Sequence, residues 1–176
     1  DAGLQVQLPP FFSDSFDITL TPVSRHGDDI AIGSNALTVP VTVNPAANGV
    51  TDVTLSIHAD EAGTSTDFIE GQSLWLTPEA TLVDPNESLI YQITVGGAGV
   101  DLTQIKTLQG QTATSTDLTN NIKVFEFDAE DISGPMELIT ETYFDGQLEI
   151  QVGAASIDPV SGNQSAYQTA TVETIT

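Results

Sequence analysis

The chain has 176 residues, of which 39% are hydrophobic, and its 25 acidic and 3 basic residues give a net charge of −22. This composition excludes a disordered tail, and it disfavours nucleic acid and anionic membranes as partners because both are bound through Lys and Arg. Cysteine is absent, which excludes disulfides and thiolate metal sites.

Apolar residues alternate with polar ones in five segments, which predicts half-buried strands of antiparallel sheets. In chain order these are residues 16–20, 39–43, 53–57, 89–95 and 148–152. The alternation slips by one position within residues 122–127, which predicts a bulge or a short twisted strand. Residues 128–131 predict a single helical turn, ended by Gly134 and Pro135. This spacing of strands is typical of an all-β, antiparallel, immunoglobulin-like β-sandwich.

Two segments of the chain are similar to each other. Residues 12–24 align without gaps with residues 144–156, 132 positions later, and a second strand follows in each copy, at residues 39–43 and 170–174. The interval suits successive domains of one chain. We therefore predict that residues 1–44 are the closing strands of a preceding immunoglobulin-like unit and that residues 45–176 form a complete unit. The alternative is that residues 1–44 are the N-terminal part of one larger sandwich.

No run of apolar residues is long enough for a membrane-spanning helix, so we expect no membrane insertion. The chain begins with Asp1 and carries no signal segment, so we expect it to be a segment of a longer protein.

Other local patterns favour a structural role over a binding or catalytic one. Gly96 to Asp101 matches the start of a calcium-binding nonapeptide, but that motif needs stacked copies, so a glycine-rich hairpin loop is the preferred interpretation. Trp75 stands between Leu74 and Leu76 and is expected in the core, although it could offer an aromatic platform to a sugar or peptide. The two histidines, His26 and His58, fall in no catalytic or metal motif, so we expect no enzyme.

Three short motifs carry a family resemblance. They are Glu70-Gly71 before a strand, the run from Leu82 to Glu87 that leads into residues 89–93, and residues 146–158. Together they resemble the cadherin-like and immunoglobulin-like repeats of giant bacterial surface adhesins of the repeats-in-toxin and large-adhesion-protein type. The resemblance implies a calcium-stiffened chain of sandwiches at the cell surface, of the kind that takes part in biofilm formation.

The resemblance also implies calcium ligands at Glu70, Asp84 and Glu87. Asn86 and Ser156 stand where the family usually has aspartates, and Asp158 follows two residues after Ser156.

The residues favour calcium independently of the resemblance. Calcium takes about 6–8 oxygen ligands, and acid-rich turns at one end of a sandwich can supply them. Further candidates in turns are Asp60, Glu61, Asp158 and the pair Asp28-Asp29.

The first hypothesis for function is an extracellular structural spacer, stabilised by Ca²⁺, whose partners are the neighbouring repeats of the same chain. The alternative is a module of the same adhesin class that binds a peptide or glycan on a host or other surface. In that case the insertion between Asp101 and Met136 is expected to build the pocket.

Overall fold

A computed structural model describes residues 3, 5–69, 71–97, 122–140 and 146–176, together with the backbone of residues 104–106 and 114–118. Strands and turns make up nearly all of this part of the chain. It divides into two compact units, unit 1 (Asp1–Ala46) and unit 2 (Ala47–Thr176). Among the described residues, no helix has the length and apolar character that crossing a membrane requires.

Unit 1 consists of two pairs of strands. Strand β1 (Ser15–Leu20) pairs antiparallel with β4 (Leu37–Thr42), and β2 (Val23–His26) pairs antiparallel with β3 (Asp29–Ile32). The turn between β2 and β3 contains Gly27, whose φ of 60° favours glycine. Strands β1 and β4 were predicted from alternation, whereas β2 and β3 were not.

Unit 2 contains two antiparallel sheets. The four-stranded sheet has the order β5-β6-β11-β8, with strands β5 (Val50–His58), β6 (Leu74–Leu82), β8 (Gln104–Lys106) and β11 (Met136–Ile139). The six-stranded sheet has the order β13-β12-β7-β10-β9, and β14 also pairs with β12. Its strands are β7 (Ser88–Gly96), β9 (Thr114–Leu118), β10 (Ile122–Asp128), β12 (Leu148–Ile157), β13 (Gln168–Thr169) and β14 (Glu173–Ile175).

The two sheets of unit 2 share one apolar core. Leu76 and Met136 come from the four-stranded sheet, and Ile93, Phe125 and Ile150 come from the six-stranded sheet. Burying each of these side chains contributes about 1.5–3 kcal/mol relative to leaving it exposed. The all-β, antiparallel character predicted from the sequence is therefore confirmed, and the shared core is consistent with a sandwich.

Of the two alternatives predicted for residues 122–127, the bulge is wrong, and a strand forms there, β10. This strand pairs with β7 in unbroken register, from Ile122 opposite Gly96 to Asp128 opposite Ile90. The alternation slips because Val124 is half-buried on the face opposite the buried Phe125. The register shift instead lies in β5, between Thr51 and Thr54, where Asp52 has a φ of 53°.

Three other local predictions have clear outcomes. The helical turn is confirmed as a 3₁₀ turn at Ala129–Asp131. The glycine-rich hairpin is wrong, because β7 and β8 lie in different sheets and their connection crosses between them; residues 98–103 of that connection lie outside the described residues. The strand predicted at residues 170–174 is confirmed only at residues 173–174, which belong to β14, because β13 and β14 pair with β12 on either side of residues 170–172.

Candidate metal centre

The turn between β6 and β7 carries two buried carboxylates. Asp84 and Glu87 are only 7% and 6% exposed. Asp84 Oδ1 accepts hydrogen bonds from the backbone N–H and the Nδ2 of Asn86, both at 2.9 Å. The Glu87 N–H donates to the Asp84 carbonyl oxygen at 3.2 Å. The sequence Asp-Pro-Asn-Glu therefore folds into a compact acidic turn whose two carboxylates are turned away from solvent.

The Glu87 carboxylate is satisfied on one oxygen and not on the other. Oε1 accepts hydrogen bonds from the backbone N–H of Asn48 at 2.8 Å and from Asn48 Nδ2 at 2.7 Å. Oε2 is buried and has no hydrogen-bond partner, one of only two such side-chain atoms among the described residues. A carboxylate oxygen removed from water without a partner is costly. A cation or a water molecule bound there would supply the missing interaction.

Asn48 is held in place by the segment that leads into β5. The Gly49 N–H donates to Ser156 Oγ at 2.8 Å, and the Val83 N–H donates to the Gly49 carbonyl oxygen at 3.1 Å. Gly49 has a φ of 88°, a conformation that favours glycine. These contacts tie Asn48 to the ends of β6 and β12, so its two donors reach Glu87 from a fixed direction.

Asp158 lies at the same end of the six-stranded sheet as Glu87, since the β12–β7 ladder ends with Ile157 opposite Ser88. Its carboxylate, however, accepts hydrogen bonds from residues of its own turn. Oδ1 accepts hydrogen bonds from the N–H groups of Val160 (3.0 Å) and Ser161 (2.7 Å) and from Ser161 Oγ (2.9 Å). The bond from the Ser161 backbone is the main reason that the pKa of Asp158 lies below its usual value.

Asp60 and Glu61 do not join this group. Asp60 and Glu61 follow the end of β5 at His58, whereas Asn48 precedes its start at Val50, so the nine-residue strand separates them. Asp60 Oδ1 accepts hydrogen bonds from the Thr64 and Ser65 N–H groups, at 2.7 and 3.1 Å. A further hydrogen bond from the Thr64 hydroxyl is the main cause that lowers the pKa of Asp60. Glu61 is exposed. Glu70 lies outside the described residues.

The residues present suit a hard cation. In the described part of the chain, no group of three or more Asp, Glu, His or Cys side chains is arranged to hold a metal. Calcium also accepts amide, backbone carbonyl and water oxygens, so its sites need not contain three carboxylates. Glu87 Oε2 is the buried oxygen that a cation would reach here, and Asp84 and Asn48 are linked to Glu87 by hydrogen bonds. Asn48 was not predicted from the sequence, since 39 residues separate it from Glu87.

A second polar group lies on the outer face of the four-stranded sheet. Trp75 is half-buried and faces away from the core that Leu74 and Leu76 enter, so its predicted place in the core is wrong. In the sheet register, Trp75 stands opposite both His58 and Glu137. Glu137 Oε1 accepts a hydrogen bond from Ser73 Oγ at 2.7 Å, and His58 Nδ1 is the second buried polar atom without a partner.

Unit 2 also has a small cleft of about 160 Å³ near the start of β12. Its lining includes Phe68, Ile69, Leu74, Leu148 and Ile175. None of the described residues that line this cleft belongs to the insertion between residues 101 and 136. Most of that insertion lies outside the described residues, so a pocket formed there stays a prediction.

Comparison of the chain with protein-family models, with curated proteins and with solved structures finds no match.

Proposed function

We propose that this chain is a calcium-stabilised, immunoglobulin-like segment of an extracellular adhesive protein of the bacterial surface, and that it acts as a non-catalytic spacer. The observation that carries the proposal is the buried Glu87 Oε2, which lacks a partner beside Asp84 and Asn48. A calcium ion there would bind the turn between β6 and β7 to the segment that enters β5. Its chemical contribution is to neutralise carboxylates that the chain cannot neutralise itself.

The charge balance supports this proposal. The whole chain has only Arg25, Lys106 and Lys123 to set against its 25 acidic residues. Arg25 Nε donates to the backbone oxygen of Gly27, in the same hairpin of unit 1. A spacer in a calcium-containing medium can keep a strongly acidic surface because divalent ions bind its buried carboxylates.

The strand order supports the immunoglobulin-like type. In an immunoglobulin domain, strands A, B, E and D form one sheet, and C, F and G form the other. The order β5-β6-β11-β8 corresponds to the first sheet, and the neighbours β7 and β12, edged by β13 and β14, correspond to the second. Strands β9 and β10 extend the second sheet beyond β7. Strand β8 takes the place of strand D although it comes before β9 and β10 in the chain.

Thermal unfolding with calcium and with a chelator tests the proposal. At a calcium concentration about 100-fold above the dissociation constant, binding stabilises the native state by about 2.7 kcal/mol, which raises Tm by roughly 10 °C. Glu87→Gln should lose this shift because it removes the buried anionic ligand. In chelator, Glu87→Gln should melt at or above the temperature of the natural chain, since the unpaired buried charge is gone.

Glu61→Gln is the matched control, since Glu61 is exposed and lies beyond the opposite end of β5. This variant should keep the calcium-dependent shift. A natural chain whose Tm is the same in calcium and in chelator would contradict the proposal. A Glu87→Gln variant that keeps the full shift would contradict the assignment to Glu87.

The outward position of Trp75 favours a second candidate function, binding of a glycan. The indole stands opposite the imidazole of His58 and the carboxylate of Glu137, a combination that can stack on a sugar ring and hydrogen-bond its hydroxyl groups. A glycan array that detects binding by the natural chain and loss of binding by Trp75→Ala would support this function. Val160→Ala, which changes an exposed residue of another turn, is the control. An array without specific signal would count against it.

A further inference from the structure

The ribbon formed by β1 and β4 in unit 1 has one apolar face. In the register of the ribbon, Phe16 stands opposite Val41, Ile18 opposite Val39 and Leu20 opposite Leu37. Residues directly opposite each other in an antiparallel pair share a face, and every second residue returns to it. All six side chains are apolar and none is charged. This face is therefore built to be buried against another apolar surface.

Much of this surface is exposed. Leu20 is 45% exposed, Leu37 is 60% exposed and Val39 is 40% exposed. In the β2–β3 hairpin, Val23, Ile30 and Ile32 are also exposed. A ribbon of two strands is marginal in water without such a partner surface. An exposed apolar face of this kind marks an interaction site.

The same chain shows what covers an equivalent ribbon. Phe16, Ile18 and Leu20 align without gaps with Leu148, Ile150 and Val152 of β12. Both strands pair antiparallel with a strand that follows them in the chain, β1 with β4 and β12 with β13 and β14. In unit 2 the aligned side chains are buried, and Val152, the counterpart of Leu20, is 0% exposed. The two ribbons thus share the apolar positions of their first strand and its antiparallel pairing with a later strand, and they differ in whether they are covered.

Two elements of unit 2 cover β12. Its second edge pairs with β7 from Glu149 opposite Gly96 to Ile157 opposite Ser88, and its apolar face packs into the core shared with the four-stranded sheet. In the part of the chain that the structure describes, β1 pairs with β4 alone, in a two-stranded sheet. In unit 2, β7 pairs with the second edge of β12, and the four-stranded sheet covers its apolar face. In the described part of unit 1, the corresponding edge and face of β1 have no such partner.

We propose that unit 1 is the closing ribbon of another sandwich of the unit 2 type. Its partner is the open body of that sandwich, which offers a strand like β7 to the edge of β1 and an apolar sheet to the shared face of β1 and β4. Unit 2 cannot serve as this body, because its own β12, β13 and β14 already fill the position. The inference does not depend on calcium, so its test is independent of the test of the proposed function.

A fusion protein tests this inference. A second copy of residues 47–143, which corresponds to unit 2 without its closing strands, is placed before residues 12–176. Residue 143 of this copy is followed directly by Phe12. This junction follows the alignment, in which Phe12 corresponds to Phe144. Amide hydrogen exchange in β1 and β4 should slow by about 100-fold or more relative to the natural chain, because burial in a folded sandwich protects the ladder.

Leu20→Asp is the matched variant. In the natural chain Leu20 is exposed, so the substitution should leave the melting of unit 2 unchanged. In the fusion it should abolish the protection of β1 and β4, because the charge would enter a core.

Two results would overturn the inference. Equal exchange rates for β1 and β4 in the fusion and in the natural chain would show that the added body does not bind the ribbon. A concentration-dependent dimer of the natural chain that Leu20→Asp dissociates would show that a second copy covers the face instead.

Discussion

At the scale of single residues, three carboxylates of unit 2 have contacts of two different kinds. Asp60 and Asp158 accept hydrogen bonds from the backbone of their own turns, so their charges stabilise loops. Glu87 is different because one of its oxygens holds Asn48 and the other has no partner. Both kinds of carboxylate look alike in the sequence, where each is an acid in a polar turn. The contacts separate an acid that stabilises its own loop from one whose second oxygen has no hydrogen-bond partner.

Tyr167 provides a test at alkaline pH. Burial, together with a hydrogen bond from its hydroxyl to Glu126 Oε1 at 2.8 Å, raises the pKa of Tyr167 to about 12. In the unfolded chain the pKa returns to about 10. The stabilisation is therefore complete below pH 10 and is lost as the pH rises toward 12. Tyr167→Phe should flatten this part of the stability–pH curve measured by denaturant unfolding. An identical alkaline limb in both proteins would contradict this role of Tyr167.

At the scale of secondary-structure elements, the sequence pattern predicts strands that bury one face. β5, β7 and β12 follow this rule, and their alternation marks them clearly. β2 and β3 are exposed along their whole length, so burial leaves no periodic signal in their sequences. β13 and β14 are too short to show a period, and their positions depend on pairing with β12.

The candidate site could be predicted only in part for a related reason. Asp84 and Glu87 stand in one turn and were found through a family motif. Asn48 reaches Glu87 only because β5 pairs with β6 and because Ser156 holds Gly49. Contacts between residues so far apart in the chain have no local signature. The Asn-Gly dipeptide at the entry to β5 was visible as a turn signal, but nothing in the sequence linked it to Glu87.

The contact between the β5 entry and β12 gives a prediction about stability. Ser156 is fully buried, and its Oγ accepts the Gly49 N–H and thereby joins the two sheets. Ser156→Ala leaves this N–H without its partner, which should lower the free energy of unfolding of unit 2 by about 1–3 kcal/mol. Chemical denaturation measures the loss, and Ser34→Ala, at an exposed position of unit 1, is the control. A Ser156→Ala variant as stable as the natural chain would contradict the importance of this contact.

At the scale of the whole molecule, the net charge of −22 determines the ionic conditions in which the fold is stable. Like charges spread over a surface repel one another and disfavour the compact state, and salt or bound cations reduce this repulsion. Three basic residues cannot provide the compensation from within the chain. A medium that contains divalent cations can provide it, and one ion at Glu87 would also connect the two sheets where β5 begins.

The most direct measurement of the central claim is a crystal structure of the chain grown with calcium, with the ion located by its anomalous scattering. We predict a calcium ion about 2.3–2.6 Å from Glu87 Oε2, with its remaining ligands supplied by oxygen atoms. A water molecule at Glu87 Oε2 in saturating calcium, with no ion bound, would contradict the account.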